Sequence, residues 1–319
     1  MKNPAFIITI DTEGDNLWQS PHNITCENAK YLPRFQDLCE KYGFKPTYLT
    51  NYEMASDTYF KNFARTVLEK RTGEVGMHLH AWNSPPEYAL TRDDFQYTPY
   101  LIEYPVEVMR RKIGSLTDLL QDTFGQKMIS HRAGRWAFNA TYAELLREYG
   151  YLVDCSVTPG VDWSLTKGDP DGHGGTNYTN FLRKAYFMHP HDIAKEGNTN
   201  LLQVPMTILP KHSYVVERIK TAVNKVRGKK KPRSMSWLRP KGGNAKEMIC
   251  LANHFLARGS DYIEFMLHSS EFMPGGSPSF KDKESIEQLY HDLEELFIHL
   301  SGRCTGMTLK EYRDYFINK

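Results

Sequence analysis

Short apolar runs alternate along the chain with stretches whose apolar residues recur at helical spacing. Ala5–Ile10, Lys45–Asn51, Val75–His80, Lys127–His131, Tyr151–Val157, Leu201–Val204 and Tyr262–Leu267 read as strands. Between them, Asn28–Tyr42 places Leu32, Phe35 and Leu38 on one helical face and stops at Gly43. Asp57 caps a predicted helix that runs to Lys70, Pro105 opens one that runs to Phe124, and Asn139 caps one that runs to Tyr149. Ala245–Arg258, a long helix over Asp282–Leu300 and a last helix from Thr308 to Phe316 complete the set. Such β/α alternation predicts a parallel sheet or barrel, in which functional residues gather at the C-terminal strand ends. Two stretches break the rhythm. Residues 163–197 are rich in Gly and Pro, carry His173, His189 and His191, and are expected to form a long ordered loop over the active face. Lys225–Lys241 is a basic insertion that also holds Trp237 and Arg239.

Chemistry concentrates at those strand ends. Asp11 and Glu13 are spaced i, i+2, and so are His78 and His80. Alternation along a strand puts each pair on one face. Two carboxylates and two imidazoles meeting there make an N/O site for a divalent metal. Arg132, in Ser130–Trp136, would hold a neighbouring carboxylate ionised and oriented. Asp154 sits inside an apolar strand and requires a partner. His268, at the end of Tyr262–Leu267, can deliver a proton near neutral pH. Trp82, Trp136 and Trp163 offer flat apolar faces for a bound ligand, with Arg135 beside them as a polar contact. Each motif alone also has a bland reading: a solvated acidic loop, a satisfied core histidine, a packed indole. Together, at successive strand ends, they point to metal-assisted hydrolysis rather than a binding module.

The bulk properties narrow the field little. With 319 residues, 40% of them hydrophobic and 24% charged, the chain suits a globular fold, and its formal charge of +2 selects no partner. The basic residues form one short run rather than a patterned surface, which argues against nucleic acid. The five cysteines are scattered and form no CxxC, so neither a disulfide framework nor a thiolate zinc site is expected. No secretory leader and no bilayer-spanning apolar run are read, and the expected location is cytoplasmic.

In this order, Asp11-Thr12-Glu13, His78-Leu79-His80, Ser130–Trp136, Leu152-Val153-Asp154 and Leu267-His268-Ser269 resemble the motifs of the polysaccharide deacetylase family, carbohydrate esterase family 4, also called NodB-like. The likeness covers roughly Ala5–Phe316. It implies a distorted (β/α)7 barrel forming one domain over 1–319, a divalent metal, most often Zn2+, and removal of an N-acetyl group from a sugar. By this resemblance Asp11 matches the catalytic base, Glu13 replaces a metal-binding Asp, and His78 is the first metal histidine, with His80 the nearest candidate for the second. Arg132 orients the base, Asp154 tunes the acid, His268 protonates the leaving amine, and a backbone N–H near Arg132–Gly134 meets the oxyanion. Two departures stand out. Thr12 separates the carboxylates, and position 82, where a second histidine is usual, is Trp, which leaves Asp15 as a substitute ligand. The Asp-Thr-Glu and His-x-His forms resemble a subgroup associated with bacterial surface-polysaccharide assembly, O-antigen or capsule. The implied substrate is an N-acetylated sugar, nucleotide- or lipid-linked. The basic run Lys225–Lys241 reads first as a solvated flexible loop, with peripheral contact to an anionic membrane surface as the alternative. Two alternatives stay open: an amide hydrolase acting on a non-sugar C–N bond such as a cyclic imide, and a metal-free sugar-binding relative.

Overall fold

The run Ala5–Thr12 forms strand β1, every residue buried, because both its faces are covered. The computed structural model describes residues 3–15, 17, 22–212 and 234–319. The other strands are β2 (Pro46–Thr50), β3 (Glu74–Leu79), β4 (Ser130–Ala133), β5 (Val153–Asp154), β6 (Tyr186–Phe187), β7 (Leu202–Gln203), β8 (Ile208–Pro210), β9 (Met235–Trp237), β10 (Tyr262–His268) and β11 (Thr305–Gly306). The main sheet runs β10-β1-β2-β3-β4-β5-β7-β6, parallel except for the β6–β7 pair, while β11 adds to the start of β1. The seven parallel strands from β10 to β7 curl into the distorted (β/α)7 barrel. Single bonds bridge the gap between β7 and β10. Tyr262 Oη donates to Pro205 O (2.7 Å), Glu264 N to Thr207 Oγ1 (2.8 Å) and Met266 N to Leu238 O (3.4 Å). The antiparallel pair β8–β9 sits at this seam.

Register decides which side chains meet. In-register neighbours on parallel strands point the same way, and the structure pairs Asp11 with His268, His78 with Arg132, and His131 with Asp154. The inward face of the barrel stacks Ile7, Leu49, Val153 and Leu202 as an apolar floor. Above it lies a polar layer of Thr9, Glu264 and Arg132. The outward face, with Phe6, Ile8 and Ile10, packs under the surrounding helices.

The helix starts follow local capping chemistry. Asp57, Asn139, Asp282 and Thr308 each accept a backbone N–H from the first turn of their helix. The predicted helix Asn28–Tyr42 divides into a 3-10 turn, Glu27–Tyr31, and an α-helix, Leu32–Lys41. Pro33 forces the break, since it lacks an N–H and is tolerated only in a first turn. The predicted strand Tyr151–Val157 shrinks to Val153–Asp154 because the Asp154 carboxylate takes the Ser156 N–H (2.9 Å) that a longer ladder would need. Helix Tyr52–Ser56 and strands β6, β8, β9 and β11 are too short to leave a periodic signal. In the 163–197 stretch, Trp163 and Thr166 border a cavity shared with Asp11, His78 and His268, whereas His173, His189 and His191 do not. Of the basic stretch, Lys225–Arg233 lies outside the described residues, while Trp237, Arg239 and Lys241 are placed. No described helix is long and apolar enough to cross a membrane.

Candidate metal and hydrolytic site

Glu13 leaves the tip of β1 with its backbone pinned: its N–H donates to Ser269 Oγ (3.0 Å) and its carbonyl accepts from Asn28 Nδ2 (2.7 Å). Its Oε2 lies 3.4 Å from His78 Nε2 and 3.3 Å from His80 Nε2, and the two imidazole nitrogens are 3.0 Å apart. His78 Nδ1 donates to Arg132 O (3.0 Å), which leaves Nε2 as the lone pair facing the site. Ligands on a tetrahedral ion at about 2.0–2.1 Å stand about 3.3 Å from one another. The separations observed match that spacing, and a buried carboxylate with two imidazoles is a donor set suited to a divalent ion. Burial opposes charge on His78, but Asp11 and Glu13 outweigh it and raise its pKa, whereas burial and the His78 charge push His80 well down.

Backbone geometry holds this cluster tight. Gly134 passes so close to the β3 tip that a Cβ there would sit 2.4 Å from His80 Cδ2 and 2.4 Å from Leu79 O. The next two residues, Arg135 and Trp136, adopt left-handed backbone (φ 52° and 64°), a strained state for large side chains. Both residues border the cavity. Trp82 stacks on His80 with ring centroids 4.3 Å apart.

Beneath the cluster Arg132 is completely buried. Nη1 donates to Asp11 Oδ1 (2.6 Å), and Nη2 donates to Glu264 Oε1 (2.5 Å) and Thr9 Oγ1 (2.7 Å). Its guanidinium lies 4.8 Å from the Trp136 ring centre. Burial raises the Asp11 carboxyl, but the Arg132, His78 and His268 charges prevail and hold it at about 2. Glu264, deeper in the barrel, is pushed up to about 7 by burial despite Arg132 and Thr9.

His268 closes the far side, its Nε2 3.8 Å from Asp11 Oδ2 and 3.9 Å from Glu13 Oε1. The carboxylate that fixes it is Glu271, not Asp154. Glu271 Oε2 accepts from His268 N (3.0 Å) and lies 3.2 Å from His268 Nδ1, and Arg239 Nη2 bonds both Glu271 oxygens (2.9 and 2.7 Å). Burial lowers the His268 pKa, yet Glu13 and Glu271 raise it overall. Asp154 points to the outward face of the sheet, where it meets His131 Nδ1 (2.7 Å) and Ser156, with Tyr142 on the other imidazole nitrogen. That corrects its expected role: it is a core partner of His131. Asp15 likewise turns away, accepting from Thr25 and from Asn28 N (3.1 Å), so it is no substitute ligand. The Ala133 N–H, within the segment expected to meet an oxyanion, is already spent on Ser156 Oγ (2.8 Å). Sequence reasoning missed Glu271 and Arg239. A Glu three residues after His268 is a capping-box spacing, and that spacing was the available signal.

These groups open into a cavity of about 370 Å³ bordered by Asp11, Glu13, His78, His80 and His268 and walled by Trp82, Trp136, Trp163, Tyr100, Arg135 and Arg239. Arg135 is held over the Tyr100 ring (4.2 Å) and by Thr98 Oγ1 (3.0 Å). Trp163 Nε1 donates to Thr158 Oγ1 (2.9 Å).

No family model matches the sequence, and no curated protein matches it. Solved structures do. A proposed glycoside hydrolase/deacetylase from Parabacteroides distasonis superposes with a TM-score of 0.65 at 9% identity, over 99% of this chain and 72% of that one. A proposed polysaccharide deacetylase from Mycobacterium smegmatis gives 0.56 at 12% identity, over 99% and 92%. The 4-alpha-glucanotransferase of Thermococcus litoralis gives 0.52 at 13% identity, over 98% of this chain and 40% of that one. At such identities the likeness is one of fold: the chain shares the curled parallel barrel of proteins described as deacetylases and as a glucanotransferase.

Proposed function

We propose that this chain is a metal-dependent N-deacetylase of an N-acetylated sugar, acting in the cytoplasm on a precursor of a bacterial surface polysaccharide such as O-antigen or capsule. One observation carries the reading: Glu13, His78 and His80 converge beside an Arg132-clamped Asp11 and a Glu271-bound His268 on one aromatic-walled cavity. The surface-polysaccharide step rests on the likeness of the Asp-Thr-Glu and His-x-His forms. The reducing location is in keeping with five unpaired cysteines.

Glu13, His78 and His80 would hold the ion, for which Zn2+ suits the ligand set. Bound there, a divalent ion supplies a Lewis acid that polarises the amide carbonyl and acidifies water. Asp11 stays ionised at neutral pH, with one oxygen engaged by Arg132. The other, 3.8 Å from His268 Nε2, accepts the proton of the attacking water. His268, with its raised pKa, gives a proton to the nitrogen as the C–N bond breaks, so the leaving group departs as an amine. Glu271 holds the ring so that Nε2 faces the cavity. Trp82, Trp136 and Trp163 offer apolar faces for the sugar ring, and Arg135 a polar edge.

Acetate release from a panel of N-acetylated sugars, with small cyclic amides as controls, tests the proposal on the full chain. Turnover should vanish on chelation, return with Zn2+, and fall at least about 100-fold in Asp11→Asn and His268→Ala. Ring opening of a cyclic amide without acetate release would move the chemistry to a non-sugar C–N bond. Sugar binding with no metal and no effect of Asp11→Asn would leave a binding protein.

A further inference from the structure

A second cleft, of about 420 Å³, opens beside the catalytic cavity and shares Trp136, Trp163 and Arg239 with it. Its outer wall is built from the described end of the basic stretch, Trp237 and Lys241, facing Ser277 and Ser279. Trp237 lies 5.9 Å from Trp136 and 6.4 Å from Trp163, centroid to centroid, so three indoles line one continuous path between the cavities. Glu271 is the acid on this wall, and its charge is already met by Arg239 and His268. Arg239 spends only Nη2 on that pair, and its side chain remains 22% exposed. Lys241 is exposed and forms no ion pair within 4 Å among the described residues; the nearby Glu247 carboxylate attracts it but is itself engaged by Lys211 (3.3 Å) and Ser236 (2.9 Å). Among the described residues, the lining therefore sets two cations, Arg239 and Lys241, against the single carboxylate of Glu271, next to hydroxyls and flat apolar faces.

We propose that this cleft is a subsite for a phosphate group attached to the acylated sugar, so that the preferred substrate is a sugar phosphate or phosphodiester rather than a neutral oligosaccharide. The inference rests on the deacetylase reading for where the sugar lies. A tetrahedral anion takes several donors at once, which Arg239, Lys241 and the serine hydroxyls supply. The group beyond the phosphate, nucleoside or lipid, would lie against Trp237.

Binding to the full chain is measured with N-acetylglucosamine, its 1-phosphate, its uridine diphosphate derivative and a short-chain prenyl phosphodiester of it. Each phosphorylated probe should bind about tenfold more tightly than the free sugar, the worth of one hydrogen bond to a charged group. Lys241→Gln should remove most of that gain and leave free-sugar binding unchanged. Trp237→Ala should weaken whichever diester is preferred, nucleotide or prenyl, and spare the monoester, which identifies the carrier. Phosphorylated probes that bind no more tightly than the free sugar, or a gain that survives Lys241→Gln, would overturn the subsite. Acetate release measured in parallel separates the two readings. Preference without release defeats the deacetylase and leaves the subsite standing; release without preference defeats the subsite alone.

Discussion

Glu271→Gln isolates the residue that sequence reasoning overlooked. In the fold its carboxyl is held at about 2 against an ordinary value of 4.5: burial raises it, and Arg239 and His268 overcome the burial. The gap is worth roughly 3 kcal/mol at 1.36 kcal/mol per pKa unit, with little solvent screening because the side chain is 3% exposed. The sign follows from the depressed pKa. The stabilisation is full above the unfolded value near 4.5 and is lost as pH falls through about 2. The variant should therefore melt about 5 °C lower at pH 7, for an unfolding entropy scaled to this length, and the difference should shrink towards pH 3. Catalysis should suffer separately. An amide N–H aimed at His268 Nδ1 disfavours the imidazolium, so kcat should drop about 10- to 100-fold with KM little changed. The high-pH limb of the rate profile should move to lower pH, because a charge that raised the His268 pKa is gone. Thermal melts from pH 3 to pH 8 and steady-state rates over the same range report both effects. A variant with wild-type kcat and an unmoved high-pH limb would refute the claim that Glu271 positions the acid.

Three further outcomes follow from the same geometry. Glu264→Gln should stabilise the fold above pH 7 by up to roughly 3 kcal/mol and do nothing near pH 4.5, because the folded carboxyl, pushed up to about 7, favours folding only while protonated and that stability is lost as pH rises; urea titrations at pH 5 and pH 8 measure it. Gly134→Ala should weaken Zn2+ binding about 10- to 100-fold, read by competition with a chromophoric chelator, since the new methyl displaces His80 or the β3 tip while the barrel core is untouched. Zn2+ at about 100 times its dissociation constant should add about 2.7 kcal/mol of stability to chelator-treated protein, visible as a rise in melting temperature, and His80→Ala should abolish most of that rise.

The parts of this site that were legible in the sequence are those set by local rules. Alternation along a strand is enough to put Asp11 with Glu13 and His78 with His80, and the structure then needs only the β1–β2–β3 order to bring the pairs within 3.4 Å. Capping residues were equally readable, since an Asp or Asn side chain reaches only its own first turn. Asp154 was misplaced because its partner is chosen by register between β4 and β5. There it falls opposite His131, and alternation sends His131 to the face away from Arg132. Had that alternation been applied across the pair, it would have excluded Asp154 from the cavity, because Arg132 reaches inward to Asp11 and its neighbours on either side cannot. Arg239 was invisible for a different reason. It lies 32 residues from Glu271, just after the short strand β9, which leaves no periodic signal, and only the seam between β7 and β10 brings it beside His268. Arg239 thus depends on how the barrel closes, a long-range feature that no single stretch of chain encodes, whereas Glu271, three residues after His268, was within reach of a local capping rule.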